Sequence, residues 1–248
     1  MNTSSPVILA IDTSTPIASV AITSGTLAAG SMRAVFSWRG AVSHSSRLLT
    51  VVETMMAEVR IGFSELAGLA VGLGPGSFTG LRIAMATVKG LATATALPLY
   101  GASSLDCLAA GIAGERQVVA VIDARKKEIY AGRYRIFPGR PPERLGAIVA
   151  IDPEKISALV DAPCLFVGDA VPVYDGLWQR QLGDRYQAAP ACCHFPSAAV
   201  LGLLAGELHS QGAALPLATA TPLYVRASDA ELNLEQASGS MRPIVKMS

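Results

Sequence analysis

Charge is scarce in this chain. Asp, Glu, Lys and Arg make up 16% of its 248 residues, against roughly 25% in an ordinary soluble domain. Lys plus Arg total 20 and Asp plus Glu 19, for a formal net charge of +1. Wrapping nucleic acid by charge alone needs a clear cationic excess, so that class is excluded. A disordered chain would be poor in hydrophobic residues, and here they reach 51%. Long apolar runs are missing: nothing approaches the roughly 18 residues of a membrane span. No Lys or Arg precedes Arg33, and Asp12 interrupts the first apolar run, so no secretory leader is expected. The four cysteines, Cys107, Cys164, Cys192 and Cys193, form no CxxC pair. Cys192-Cys193-His194 gathers three ligand types, but no second pair completes a zinc set. Thiols buried in a reducing cytoplasm are the expectation, with no metal and no membrane contact. So few charges also leave much apolar surface, which points to a buried partner contact.

Residues 7–12 (VILAID) and 17–23 (IASVAIT) read as strands joined by a polar turn, and 33–38 as a third strand. Helical period follows over 45–60, then a central strand near 66–72, a glycine-rich turn, a helix over about 80–95 and a strand at 98–102. An antiparallel meander leading into a parallel crossover predicts an α/β lobe with a mixed sheet. The pattern then restarts. VVAVID at 118–123 repeats VILAID, aligning Asp123 with Asp12, and a second strand spans 129–137. Strands near 145–151 and 164–168 and helices near 153–160 and 197–209 complete the second half. The expected division is a first lobe over 1–102, a second over 103–226 whose last helix packs back on the first, and a polar tail over 227–248.

Two turns carry residues suited to chemistry. Asp12-Thr13-Ser14-Thr15 offers a carboxylate, hydroxyls and backbone N–H groups, a set that holds phosphate and magnesium. The same residues also stabilise ordinary turns by bonding their own backbone. The second turn, Gly72 to Arg82 (GLGPGSFTGLR), leads from a strand to a helix N-terminus, where an anion is favoured. It is neither a Walker A loop nor a dinucleotide fingerprint, because the closing Lys and the third Gly are absent. Thr79 is expected to cap the helix, and Gly76 or Gly80 to take a backbone conformation closed to other residues. Phosphate cradle and structural turn remain alternatives on these residues alone.

ILAIDTSTPIASVAI, GLGPGSFTGLRIAMATVKGLA, VIDARKKEIYAG and PLYVR together resemble the bacterial TsaB (YeaZ) family over about residues 7–226. The GPGSFTGLR block is the specific part. The resemblance implies the actin/sugar-kinase/Hsp70-like (ASKHA) fold, two ribonuclease-H-like lobes with mixed sheets. It implies a role in making threonylcarbamoyladenosine beside the tRNA anticodon, as the non-catalytic partner of a TsaD-like transferase. The resemblance further implies a TsaE-like ATPase as a partner, a homodimer when the chain is alone, and tRNA reached through the complex. TsaD-like enzymes hold a metal with two His at i and i+4; here His44 is followed at that spacing by Leu48. Such kinases carry Gly after Asp-x in their phosphate turns; here Ser14 stands there, and Asp123 is followed by Ala124 and Arg125, again without Gly, while Val167-Gly168-Asp169 is the nearest match to an adenosine pocket. The nucleotide site of Asp12, Thr13, Ser14, Gly74 and Gly76 is therefore read as vestigial. No cofactor is expected, with ATP or ADP held only within the complex. The alternatives are an ATPase or phosphotransferase using Asp12, and a tRNA-binding module. The latter would use seven Lys or Arg between 125 and 144, set against Glu128 and Glu143.

On a helix from Ser45 to Arg60, Leu48, Val52, Met55 and Val59 share a stripe. The next helix carries only Arg82 and Lys89 as charges, with Ala86, Gly90 and Ala94 recurring every fourth residue. The expected partner surface combines these with Met85 and buries on the order of 1,600 Å².

Overall fold

The computed structural model describes residues 5–40, 45–125, 127–223 and 225. The expectations for His44, Lys126, Arg226 and the 227–248 tail lie outside these. The first sheet is built from β1 (Val7–Asp12), β2 (Ile17–Ser24), β3 (Ser31–Arg39), β4 (Gly68–Gly72) and β5 (Leu99–Ala102), in the order β3-β2-β1-β4-β5. β1, β2 and β3 pair antiparallel, and β1, β4 and β5 pair parallel. Helices α1 (Ser45–Glu58) and α2 (Phe78–Thr95) cover one face. α3 (Ser104–Ala110) and the final helix, introduced below, cover the other. With both faces covered, β1 and β4 are buried end to end, which is why they read as unbroken apolar runs.

The second sheet repeats the plan with β6 (Arg116–Arg125), β7 (Glu128–Ile136), β8 (Glu143–Arg144), β9 (Val149–Ile151), β10 (Cys164–Val167) and β11 (Tyr186–Ala188). Its order is β11-β10-β6-β7-β8, with β9 also on β7. Helix α4 (Val171–Leu182) packs on one face, where Trp178 is fully buried beside Phe166. The other face rests on Leu105, Leu108 and Ala109 of α3, so α3 lies between the two sheets. Tyr134 Oη donates to Asp106 of α3 at 2.9 Å, and Arg144 grips the same carboxylate through two nitrogens. Burial and the Asp106 charge push the Tyr134 hydroxyl well above its ordinary range, so it stays a donor. Helix α5 (Ala198–Ser210) follows the second sheet in sequence but packs on β1 and β2 of the first.

The elements the sequence did not announce are α3, β8, α4 and β11. α4 begins with Val-Pro and contains Gly176, which hides its helical period, although Pro is well tolerated in a first helical turn. The helix expected near 153–160 is a 3₁₀ turn over Pro153–Leu159.

Candidate functional site

Asp12 ends β1, and Thr13, Ser14 and Thr15 turn the chain into β2. All four are buried. Asp12 Oδ1 accepts from Ser14 N–H at 2.9 Å and from Ser14 Oγ at 2.6 Å. Thr13 Oγ1 donates to the Gly80 carbonyl at 2.7 Å, and Ser77 N–H donates to the Ser14 carbonyl at 2.7 Å. The glycine turn lies directly on this one. A Cβ at Gly72 would overlap Asp12 Oδ2, one at Gly76 the Ser14 carbonyl, and one at Gly80 the Thr13 carbonyl. Gly74, at φ +92°, and Gly76, at φ +159°, take backbone conformations that other residues rarely adopt, as expected for Gly76. The glycines bring the two turns into contact.

One sequence expectation changes here. Ser77, not Thr79, caps α2: its Oγ accepts from Gly80 N–H at 3.2 Å. Either hydroxyl fits the cap signal, and the close approach of Gly80 to Thr13 fixes where the helix starts. Ser77→Ala is expected to cost about 1 kcal/mol and Thr79→Ala far less, as chemical denaturation of the two variants would measure. Asp12 is sealed beneath the glycine turn. Its Oδ2 has no partner, and burial raises the carboxyl above its ordinary range despite the two bonds from Ser14.

Across the second sheet, Asp169 Oδ1 accepts the backbone N–H of Asp123 at 2.9 Å, bringing together the ends of β6 and β10. Burial pushes Asp169 up to about 6. Gly168, at φ +129°, leaves no room for a Cβ against the Val121 carbonyl, and its N–H donates to His194 Nδ1 at 3.3 Å. Among the described residues no three His, Cys, Asp or Glu side chains converge as a metal site, and no helix is long and apolar enough to cross a membrane.

Asp169 and Asp12 give the fold a pH dependence of one sign. Unfolded, each carboxyl ionises near pH 4; folded, each holds its proton to higher pH. The stability they add is complete below that point and is lost as pH rises, for Asp169 between about 4 and 6. Asp169→Asn keeps an acceptor for Asp123 N–H. It is expected to exceed the parent by roughly 2 kcal/mol at pH 7, after discounting for partial exposure, and to match it near pH 4. Denaturation midpoints across that range check it.

The helix stripe divides in two. Leu48, Val52, Met55 and Met85 are buried in the first lobe's own core, and Val59 packs against it. They are therefore not a free surface for a partner, and the outer side of α1 carries Glu53 and Glu58. Lys89 is engaged within the chain, donating to the carbonyls of Ala218 at 3.4 Å and Ala220 at 3.2 Å. That contact spans more than a hundred residues, and no local pattern signals it. Arg82, Ala86 and Gly90 remain exposed on α2. Phe78, Thr79, Arg82, Ile83, Ala86 and Thr87 line a shallow, mostly apolar depression of about 410 Å³. The Arg82 guanidinium lies 3.9 Å from the centre of the Phe78 ring.

Part of the basic segment is paired within the fold. Arg133 pairs with Asp161 at 2.7 Å, Arg144 with Asp106, and Arg135 stands opposite Glu143 across the strands.

Two mixed-sheet lobes with covered faces define the actin/sugar-kinase/Hsp70-like class. Component A of (R)-2-hydroxyglutaryl-CoA dehydratase from Acidaminococcus fermentans shares this fold at TM-score 0.50 and 9% identity, over 83% of this chain and all of that one. Residues 40–234 match the family described as TsaD: tRNA N6-adenosine threonylcarbamoyltransferase. A Pseudomonas aeruginosa protein described as similar to peptidase YeaZ superposes at TM-score 0.76 with 31% identity, covering 89% of this chain and 100% of its own. The Escherichia coli tRNA threonylcarbamoyladenosine biosynthesis protein TsaB is 37% identical over 131 residues, 52% of this chain and 54% of that one. The chain belongs to the TsaB/YeaZ family.

Proposed function

We propose that the chain takes part in forming threonylcarbamoyladenosine in tRNA as a non-catalytic partner of a TsaD-like transferase. The observation that carries this reading is the closed double turn. A phosphate cradle needs free N–H groups and room for the anion. Here Gly76 and Gly80 rest on the carbonyls of Ser14 and Thr13, and Asp12 is buried with a raised pKa. A carboxyl sealed from solvent beneath the glycine turn is a poor magnesium ligand. These features support the partner role over the ATPase alternative. The name of the Escherichia coli relative supports the pathway.

On this reading the chain needs no cofactor of its own, and nucleotide is held only in the complex. The exposed side of α2 meets the TsaD-like subunit, or a second copy when the chain is alone. A TsaE-like ATPase joins the assembly, tRNA is reached through it, and the compartment is the cytoplasm. Reconstitution of threonylcarbamoyl transfer with and without the chain tests the role. Asp12→Ala is expected to retain activity within about tenfold, against 100-fold or more when a transition-state-stabilising group is lost. A loss of the larger size, with folding and partner binding intact, would sink the reading.

A further inference from the structure

Cys192 and Cys193 sit in the turn Ala191–Cys193, between β11 and α5. Neighbouring side chains in a strand point to opposite faces. This tight turn instead brings the two sulfurs to 3.9 Å. Cys192 is exposed and Cys193 half-buried, whereas Cys107 and Cys164 are buried. The turn is also where the chain crosses from the second sheet to the helix that packs on the first. It is tied to both. Gly168 N–H at the end of β10 donates to His194 Nδ1 at 3.3 Å. The Arg39 guanidinium at the end of β3 lies 5.4 Å from the centre of the Phe195 ring. Ala198 N–H donates to Ser19 Oγ of β2 at 3.1 Å.

We propose that Cys192 and Cys193 form a redox-active dithiol in the connector between the lobes, closing to a disulfide by exchange with a small disulfide of the glutathione type. The exposed Cys192 sulfur, as thiolate, attacks one sulfur of that disulfide. A mixed disulfide forms and one glutathione thiolate leaves. The Cys193 thiolate then attacks the Cys192 sulfur and expels the second. Two protein thiols lose two electrons, one disulfide gains them, and the two thiol protons end on the two glutathiones. Burial and the neighbouring Cys192 thiol raise Cys193, so the exposed Cys192 opens the exchange and Cys193, held beside it, follows in the intramolecular step.

Adjacent Cα atoms lie about 3.8 Å apart, below the usual disulfide range of about 4.4–6.8 Å, so the ring is strained and readily reopened. Closing it must draw the sulfurs together across a turn held by Cys193 N–H on the Pro190 carbonyl at 2.9 Å and His194 N–H on the Ala191 carbonyl at 3.3 Å. Loss of those bonds moves His194 off Gly168. Oxidation therefore loosens the connector from the end of β10, beside Asp169.

The full chain, equilibrated in glutathione buffers from fully reduced to mostly disulfide, tests this by intact mass, peptide mapping and amide exchange. The expected result is loss of two hydrogens confined to the peptide with Cys192 and Cys193, reversed by dithiothreitol and absent from Cys192→Ser and Cys193→Ser. The Gly168 amide should exchange at least ~10-fold faster in the closed form. A glutathione adduct on Cys192 that persists with Cys193 present would overturn the proposal, as would ring closure with the Gly168 amide unchanged. Neither readout needs a partner protein, so the outcome is independent of the reading above.

Discussion

Ala86→Glu is expected to leave the isolated chain folded and to weaken its association with a TsaD-like subunit by at least about 2 kcal/mol, some 30-fold. Ala86 is exposed on α2 and lines the depression beside Ile83 and Thr87. A glutamate there costs the free helix little, because its helix propensity is close to that of alanine. Against a partner it becomes an unpaired carboxylate removed from water. Arg82 lies one turn earlier, but an exposed i, i+4 pair returns only about 0.2–0.5 kcal/mol, and its guanidinium is directed over Phe78. Gly90 supplies the control of opposite sign. A Cβ there meets nothing within 4 Å, so the chain's own fold does not require glycine. Gly90→Ala should stabilise the isolated chain by about 0.5–1 kcal/mol, while holding a partner helix away. Sedimentation reads self-association and a binding titration reads the heteromeric contact. A folded Ala86→Glu chain that dimerises and binds normally would place the interface on another surface.

The fold was largely legible in the sequence because its signals are local. VILAID, IASVAIT and VVAVID are strands because helices cover both faces of each sheet, and the same hexamer plus Asp marks the repeat. What escaped depends on contacts between distant residues. Leu48, Val52, Met55 and Met85 suit an interface as well as a core, and nothing local says that α1 and α2 press on one sheet. Lys89 reads as a surface charge until the 216–220 segment folds back beneath it. The glycine turn was the hardest case. Its composition fits an anion cradle and a close crossing of two turns equally well, and the carbonyls it packs against lie some sixty residues earlier. The mutual approach of Asp123 and Asp169 needs β10 to land beside β6, which periodicity alone does not specify.

Gly76→Val is expected to destabilise the chain by about 3 kcal/mol and to lower its melting temperature by roughly 6–12 °C. The cause is steric. A Cβ at position 76 would overlap the Ser14 carbonyl, its carbonyl carbon and the Ser14 side chain. Two of those contacts are backbone, so no rotamer change relieves them. The turns must part, which also breaks the bond from Ser77 N–H to the Ser14 carbonyl at 2.7 Å and displaces the residue that caps α2. Comparison with Gly90→Ala separates this clash from any general cost of replacing glycine, since that site is open. A second readout follows from Asp12. Its raised pKa comes chiefly from burial under the crossing turns, so parting them admits water and lets the carboxyl ionise at lower pH. The variant's stability should then change less between pH 4 and 7 than the parent's. Unchanged melting and an unchanged pH profile would show that the crossing yields at little cost, and the glycine turn would then have the slack that ligand binding needs.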